Sequence, residues 1–515
     1  MARQLHGRAV ARAGQAGLTK HSVTVEWISA RRGMCDRDGA RTSRIQDVIM
    51  AAAIWDPVTW AEQNFATCKL RNRARNRRLI KIARQMVRRS ESSLPDQMET
   101  WADCKAAYRF FDTDGISYQD ILEPHCRQTR ESCRPGDVKL IICDTTEIDY
   151  TSLRKTTGLG PIGNGNTRGF FLHSALIVDA GPQHRVEGLA AQEVFYRKVR
   201  TGPKKKSNNS SRNRADRESA VWGRVIDAVG RPPAGVIYKH VCDRGADDIE
   251  VLFRAVHNDT GFVIRVSRMK RRVLTTDGRT LPLEEAIAEW SPVQGTREIT
   301  VPKTTTSPQR TATVTLRYGA VSLPVGRLTP WLREHRPSGP LCVGVVELRE
   351  LSPPAGQKPI RWVLYTESAV TCDAEANLTL EYYEQRWCIE EFHKALKTGC
   401  GVELRQLQTA HRLELMVAVS SVVATRLLQL KTAARETPER PARELVPPRW
   451  VKVLQKIRRR PLNPDLSIRN FLRELAGLGG FLGRTGDGEP GWITIWRGFE
   501  KLILILRAND EQPEN

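Results

Sequence analysis

The spacing of apolar residues changes along the chain and divides it into segments of different predicted structure. Residues 50–131 place apolar side chains at helical intervals, as at Leu79, Ile82 and Met86, and this pattern predicts a helical N-terminal module. Short apolar runs typical of strands then alternate with amphipathic stretches typical of helices. The predicted strands cover residues 138–143, 170–178, 186–199, 236–242 and 261–266, and the predicted helices cover residues 216–229 and 247–257.

This alternation is typical of an α/β domain in which helices cover a mixed sheet. Residues 270–360 instead show a period of two, as at Ala312, Val314 and Leu316, so a β-rich insertion is predicted there. The α/β domain, with its insertion, is expected to cover residues 132–402.

The last part of the chain is predicted to be almost wholly helical. A strand at 362–365 leads to a helix at 383–397, and helical spacing continues over residues 403–515, with a Pro-rich interruption at 437–449. The most apolar helical stretch, residues 415–425, is much shorter than the roughly 20 residues that a membrane span needs. We therefore expect no membrane partner and interpret this stretch as a core or dimer helix.

The helix predicted at 383–397 has one polar face. With about 100° of turn per residue, four polar residues fall within roughly 60° of one another: Tyr383, Arg386, Glu390 and Lys397. Apolar residues occupy the opposite side, so the helix can pack on a core while it presents polar groups to a cleft or to an anionic partner. The alternative is a solvated face held by an i,i+4 ion pair between Arg386 and Glu390.

Two aspartates directly follow apolar strands. Asp144 comes after residues 138–143, and Asp243 comes after residues 236–242. Each alone would be an ordinary turn or cap residue, but α/β proteins place their sites at such sheet edges, and Glu390 supplies a third carboxylate. Carboxylate oxygens suit Mg²⁺, with Mn²⁺ as a substitute. The sequence therefore predicts a divalent metal site for phosphodiester chemistry.

The charge of the chain is strongly biased. It has 81 Lys and Arg against 58 Asp and Glu, for a formal charge of +23, which favours nucleic acid as a partner. Residues 68–90 hold ten Lys or Arg and no acidic residue. With its helical apolar spacing, this segment predicts a basic helix that binds DNA phosphates through Arg73, Arg75 and Arg78. A solvated basic face or a membrane-surface helix is the alternative.

The cysteine pattern indicates a reducing compartment. Eleven cysteines lie scattered without a Cys-x-x-Cys pair, which argues against a disulfide or zinc scaffold and favours the cytoplasm. Residues 1–49 are basic and lack the continuous apolar segment of a signal peptide. We expect these residues to form a disordered extension.

Together these features resemble a known family, the bacterial cut-and-paste transposases of the Tn5 kind, a branch of the Asp-Asp-Glu transposases and integrases. The polar helix face is similar to the family's Tyr/Arg/Glu/Lys signature, and the segments at Asp144 and Asp243 are similar to those around its first and second catalytic aspartates. The similarity covers residues 60–502. The chain departs from the family at Arg71 and Asn72, where the family has Gly-Asp.

The resemblance implies a ribonuclease-H-like mixed sheet between a helical module that binds transposon ends and a helical C-terminal dimerisation region. The catalytic, metal-holding residues would be Asp144, Asp243 and Glu390, with two Mg²⁺ ions per site. The residues that contact DNA would be Tyr383, Arg386, Lys397, Trp362 and Arg265. Trp362 would stabilise a base flipped out during hairpin formation, although a Trp in a strand is more often a core residue. Arg265 would equally suit a salt bridge.

The implied function is DNA transposition in the bacterial cytoplasm or nucleoid. A homodimer would hold two inverted-repeat ends of double-stranded DNA in a synaptic complex, nick them, form and open hairpins, and transfer the strands into target DNA. Two alternatives stay open at this point. One is a catalytically silent end-binding protein or transposition inhibitor, and the other is a structure-specific nuclease that uses the same metals.

Overall fold

A computed structural model of the protein describes residues 56–90, 92–182, 184–197, 217–293, 296–301, 310–326, 328–335, 337–357, 359–436, 438–444, 446, 448–458 and 465–510. The extension predicted at residues 1–49 lies outside these ranges. Within them, a group of helices precedes a mixed sheet with covering helices, and a second group of helices follows it.

The N-terminal part consists of helices that begin at polar caps. They are α1 (Pro57–Phe65), α2 (Arg73–Arg88), α3 (Leu94–Gln97), α4 (Trp101–Phe111) and α5 (Tyr118–Glu131). In each of them the side chain of the N-cap residue accepts a hydrogen bond from a backbone N–H of the first turn, from Asp56 in α1 to Ser117 in α5. Such caps stabilise a helix start. The prediction of helices in this part of the chain is confirmed.

The start of α2 combines a favourable cap with an unfavourable backbone conformation. Asn72 accepts a hydrogen bond of 2.7 Å from the backbone N–H of Ala74, so it keeps the capping role that an Asp would have. Arg71 has a φ of 62°, a left-handed conformation that costs a non-glycine residue about 1 kcal/mol or more. A glycine is therefore the residue that this turn favours.

The strands described form one sheet of twelve. They are β1 (Val138–Asp149), β2 (Gly160–Ile162), β3 (Thr167–Asp179), β4 (Val186–Phe195), β5 (Ile237–Cys242), β6 (Gly261–Arg265), β7 (Arg272–Thr275), β8 (Thr280–Pro282), β9 (Arg297–Val301), β10 (Arg310–Leu323), β11 (Leu341–Glu350) and β12 (Arg361–Thr366). Their order is β2-β3-β1-β5-β6-β12-β11-β10-β7-β8, while β4 pairs with β3 and β9 pairs with β10.

The first half of this sheet has ribonuclease-H-like topology. β1, β3 and β4 form an antiparallel meander, and β5 and β6 lie parallel to β1 on its other side. β12 follows, antiparallel to β6. The predicted fold class is confirmed. The β-rich insertion between β6 and β12 extends the same sheet, because β11 pairs with β12 and β10 pairs with β11.

Helices cover both faces of the sheet. Those after the first strands are α6 (Ala220–Val229), α7 (Ile249–His257), α8 (Leu283–Ala288), α9 (Pro330–His335), α10 (Asp373–Glu384), α11 (Trp387–Lys394), α12 (Ala410–Glu436), α13 (Pro448–Ile457), α14 (Ile468–Leu478) and α15 (Trp492–Asp510). Apolar residues of α6 and α7, such as Val225 and Leu252, pack on one face. The opposite face packs on α11 and α12 through residues such as Ile389, Phe392 and Val419.

The long helix α12 is a core helix, as its composition predicts. Its apolar residues from Leu415 to Ala424 are fully or almost fully buried. Its burial among the other helices and β4 accounts for its apolar composition. Across the described residues, no helix combines the length and the hydropathy that crossing a membrane requires.

Candidate active site

The parallel pairing of β1 and β5 brings two aspartates side by side. The last paired residues of the two strands are Cys143 and Cys242. Asp144 directly follows Cys143, and Asp243 directly follows Cys242. Neighbouring strands lie about 4.8 Å apart. The two carboxylates therefore extend from adjacent backbone positions.

Asp144 lies within its strand, and the prediction that the strand ends before it was wrong. β1 continues to Asp149 because residues 144–149 remain paired with β3, from Ser174 to Gly169. β3 is long enough to supply backbone partners beyond the point where β5 ends. Asp144 is consequently held on a regular strand rather than on a loop.

Asp243 follows the last residue of β5 and starts a tight turn. It caps the 3₁₀ turn Arg244–Ala246, and its side chain accepts a hydrogen bond of 2.7 Å from the Gly245 N–H. Gly245 packs so closely on Trp222 that a Cβ at this position would lie 2.8 Å from the indole ring. The turn therefore fixes where the Asp243 carboxylate lies.

Both aspartates belong to the face of the sheet on which α11 packs. Successive side chains of a strand alternate between faces, so Asp144 shares the face of Ile142, and Asp243 shares the face of Val241. Both apolar residues belong to the core that contains Ile389 of α11. The carboxylate of Glu390, the next residue of that helix, is 39% exposed, and Asp144 is 20% exposed. The structure thus brings the three predicted carboxylates to one face, open to solvent.

The segment that carries Glu390 is not the single helix that the sequence predicts. α10 ends at Glu384, a turn at residues 385–386 follows, and α11 starts at Trp387. A π-helical turn, Ala395–Gly399, then continues α11. Both residues of the turn keep right-handed helical angles, so the chain stays close to a helical path. This is why the periodicity of the sequence does not reveal the break.

Arg386 lies in this turn and bridges two of the three carboxylates. Its Nη1 donates to Asp144 Oδ2 at 3.5 Å, and its Nη2 donates to Glu390 Oε1 at 2.6 Å. The arginine side chain is only 14% exposed. We call this arrangement the Arg386 bridge. The i,i+4 ion pair between Arg386 and Glu390, which a solvated helix face would also show, is present. The same guanidinium also contacts Asp144 of β1, so the pair connects the helix to the sheet.

The donor chemistry of the site suits divalent metal ions. Three carboxylates lie on one face, and oxygen donors of this kind are those that Mg²⁺ and Mn²⁺ prefer. In the part of the chain that the structure describes, however, no three His, Cys, Asp or Glu side chains are already grouped closely enough to hold a metal ion. The guanidinium of Arg386 lies between Asp144 and Glu390 in this arrangement.

The carboxyl of Asp144 has a pKa above its ordinary value. Burial raises the pKa of this carboxyl to about 6, and the negative charge of Asp243 adds to the rise, while Arg386 opposes it. Burial and a neighbouring like charge both disfavour the ionised form. The charges of Asp243 and Arg386 thus act on the Asp144 carboxyl in opposite directions.

We expect Asp144→Asn to stabilise the fold above pH 6. The folded pKa of about 6 exceeds the ordinary value of 3.8, so the folded protein binds this proton more tightly than the unfolded protein, and stability falls as pH rises between these values. Asn avoids this cost, which is about 1 to 3 kcal/mol. Urea unfolding at pH 8 should show the gain and at pH 4 should not. A gain that persists at pH 4 would contradict the cause given.

Three further predicted residues surround the carboxylates. Arg265 at the end of β6 shares the face of Val263, and Trp362 of β12 packs on the same core. The indole ring contacts the Tyr383 ring edge-on at a centroid distance of 5.3 Å. Burial raises the pKa of the Tyr383 phenol, while the charges of Arg265 and Arg386 oppose that rise. Tyr383 is almost fully buried, so its ring mainly supports Trp362.

Lys397 lies on the π-helical turn and is tied to a carboxylate that the sequence did not single out. Its Nζ lies 3.1 Å from Glu403 Oε1. The same oxygen accepts a hydrogen bond of 3.1 Å from the backbone N–H of Asp149, at the end of β1. Both cations of the polar helix face are therefore paired within the chain.

The candidate arginines of the N-terminal helices have different surroundings. Arg73 is exposed and Arg75 is half-buried on α2. Arg78 donates to Asp103 at 3.2 Å, and Lys81 lies 2.6 Å from the same oxygen. Because Asp103 is buried, Arg78 neutralises it and helps to join α2 to α4.

Sequence reasoning missed two supporting side chains. His173 bonds the Thr145 hydroxyl at 2.7 Å, while the Thr145 N–H donates to Asp144 at 2.7 Å, so this histidine steadies the backbone beside the first carboxylate. Trp387 is 60% exposed next to Arg386, whose guanidinium lies 5.3 Å from the ring centroid. No spacing pattern in the sequence indicates a role for His173. Trp387 directly follows Arg386, and this adjacency could have indicated a contact between the two side chains.

Comparison with known families identifies the regions on both sides of the sheet. A family model for transposase DNA-binding matches residues 57–116, which span α1 to α4. A second model, for the Tn5 transposase dimerisation domain, matches residues 422–510, from the middle of α12 to the end of α15. The sheet and its three carboxylates lie between the two matched regions.

Proposed function

The chain belongs to the Tn5-type transposases, and from this premise we propose that it cleaves DNA at the ends of its element and joins those ends to target DNA. The observation that supports this reaction is the placement of Asp144, Asp243 and Glu390 on one face of the sheet, with Arg386 bonded to Asp144 and Glu390. The sheet lies between residues 57–116, which match a transposase DNA-binding model, and residues 422–510, which match a dimerisation domain.

In this proposal the three carboxylates hold two Mg²⁺ ions, which Mn²⁺ can replace. When bound, such ions activate a water or a 3′ hydroxyl on one side of a phosphodiester and stabilise the leaving oxygen on the other. Asp144 and Asp243 are positioned for this role by β1 and by the turn after β5. Glu390 is positioned by α11, whose buried side is anchored by Ile389 and Phe392.

The neighbouring cations are proposed to bind the phosphates of the transposon end. Arg386 contacts two of the carboxylates, and Lys397 lies on the π-helical turn that continues the helix of Glu390. A guanidinium binds phosphate oxygens in a bidentate manner. Arg265 supplies a third cation on the same face. Arg73 and Arg75 of α2, with Arg78, are proposed to bind the end through its backbone at a distance from the reacting bond.

The reaction sequence that this site would support consists of in-line phosphoryl transfers. A nick at the end of the element frees a 3′ hydroxyl, which attacks the opposite strand to give a hairpin; hydrolysis opens the hairpin, and strand transfer follows. One set of carboxylates serves each step in turn, and no covalent enzyme intermediate is required. The dimerisation domain would bring two ends together in one complex.

A strand-transfer assay tests this function. Purified protein, a duplex that carries the element's terminal inverted repeat, and a supercoiled target plasmid are incubated with Mg²⁺ or with a chelator. We expect end duplex joined covalently to plasmid only with Mg²⁺. Binding without cutting would favour a silent end-binding protein, and cutting at many unrelated sequences without joining would favour a structure-specific nuclease.

Trp362→Ala should slow hairpin formation more than the first nick. An aromatic face can replace the stacking that a flipped base loses, at about 1 to 3 kcal/mol per base, so the expected loss in the hairpin step is about 10- to 100-fold. Denaturing gels of end-labelled duplex resolve the two products. Tyr383→Phe, which keeps the ring beneath Trp362, is the matched control, and an equal slowing of both steps in Trp362→Ala would indicate a structural role only.

A further inference from the structure

The Arg386 bridge occupies the place where a cation would bind. Its guanidinium donates to Glu390 at 2.6 Å and to Asp144 at 3.5 Å, and so it uses carboxylate oxygens that a metal ion would need as ligands. The two carboxylates come from elements far apart in the sequence, and the bridge is a direct polar link between them.

A metal ion and the bridge cannot both occupy this position. A guanidinium that stays between the carboxylates keeps one positive charge within a few ångströms of a second cation and blocks the oxygens that would bind it. In the described residues, no three metal-ligating side chains are grouped closely enough to hold a metal ion. Entry of a metal therefore requires that Arg386 moves away.

The surroundings of Arg386 allow that movement. The residue lies in the turn between α10 and α11 rather than within a helix, and its side chain makes no cap hydrogen bond. The exposed ring of Trp387 lies 5.3 Å from the guanidinium, and an aromatic face is a favourable resting place for an arginine.

A phosphate of bound DNA would compete with the carboxylates for the Arg386 guanidinium. It is a bidentate partner for the guanidinium, and its negative charge replaces that of the carboxylates. Lys397 has the same starting arrangement, since it is paired with Glu403 at 3.1 Å. Both cations of the signature are thus paired with carboxylates within the protein.

We propose that Arg386 is a DNA-controlled occupant of the metal site: without DNA it bridges Asp144 and Glu390 and excludes divalent ions, and a phosphate of the transposon end withdraws it so that the metal can bind. This inference rests on the proposed function, in which these carboxylates hold the metal. Its consequence is that the free protein binds divalent metal only weakly, because the carboxylates become available as ligands when DNA withdraws Arg386.

The test measures Mn²⁺ binding to the full-length protein by electron paramagnetic resonance of the free ion, without DNA. Arg386→Gln should bind Mn²⁺ about tenfold more tightly than wild type, which is a typical size for the coupling between two binding events. Arg386→Lys keeps the positive charge but cannot bond both carboxylates as the guanidinium does, so its Mn²⁺ affinity should lie between those of wild type and Arg386→Gln. The matched control is Arg224→Gln, which removes a guanidinium of α6 that is paired with Glu193 of β4 at 2.6 Å. It should leave the affinity unchanged.

A duplex with the terminal inverted repeat should raise the Mn²⁺ affinity of wild type to about that of Arg386→Gln. Equal affinities of wild type and both Arg386 variants without DNA would overturn the inference. Asp144→Asn distinguishes a failure of this inference from a failure of the proposed function. If wild type and the Arg386 variants bind Mn²⁺ equally and Asp144→Asn abolishes that binding, the metal site is retained and only the control by DNA is wrong. Binding that survives Asp144→Asn in every background would place Mn²⁺ elsewhere and contradict both.

Discussion

Asp144→Asn should reduce Mg²⁺-dependent nicking of the transposon end about a thousandfold, because loss of a metal ligand forfeits several kcal/mol of transition-state stabilisation. The backbone of β1 is unaffected by this isosteric change, since Asp144 pairs with β3 through its main chain. Binding of the end should stay near that of wild type. Asp243→Asn and Glu390→Gln should behave alike, as each removes one carboxylate of the same site.

Nicking is measured on end-labelled duplex at saturating protein, and binding is measured by gel shift of the same duplex. Asp277→Asn is the control, because it removes an exposed carboxylate of the β7–β8 turn and leaves the site intact. Nicking by Asp144→Asn at the wild-type rate would remove this residue from the metal site. Loss of binding together with nicking would indicate a structural defect instead.

Gly498→Ala should destabilise the C-terminal region by about 3 kcal/mol or more, because overpacking against a backbone cannot be relieved by a side-chain rotation. α14 and α15 approach each other through two glycines. A Cβ at Gly498 would overlap the Leu475 carbonyl, and a Cβ at Gly479 would overlap the Thr494 carbonyl. These helices lie in the region that matches the dimerisation domain, so we also expect weaker dimerisation.

Gly486→Ala is the matched control for this substitution. Gly486 lies between α14 and α15, and a Cβ there would meet no atom within 4 Å. Urea unfolding followed by circular dichroism gives the stability, and analytical ultracentrifugation gives the oligomeric state. If Gly498→Ala matched Gly486→Ala in both measurements, the close approach of the two helices would not matter for the fold.

Local patterns in the sequence were sufficient to select the three carboxylates as candidates. Asp144 and Asp243 directly follow apolar runs that pair as parallel strands, and such strands place their carboxyl ends at one edge. Glu390 shows its position through helical periodicity, with Phe392 on the buried side. These are local features, and each depends only on alternation or periodicity over about ten residues.

Features that depend on distant partners could not be read in this way. The length of β1 is set by β3, which pairs with it beyond the end of β5. The bridge from Arg386 to Asp144 joins residues 242 positions apart, and no spacing rule within one helix predicts it. Likewise, Gly498 looks like an ordinary helix-weakening residue until α14 is placed against it.

The most direct test of the three-carboxylate site is anomalous diffraction from crystals of the protein bound to its end duplex and soaked in Mn²⁺. We expect manganese peaks ligated by carboxylate oxygens of Asp144, Asp243 and Glu390 together, with Arg386 turned towards a DNA phosphate. Manganese bound elsewhere, or bound without Glu390 while the end is in place, would contradict the account.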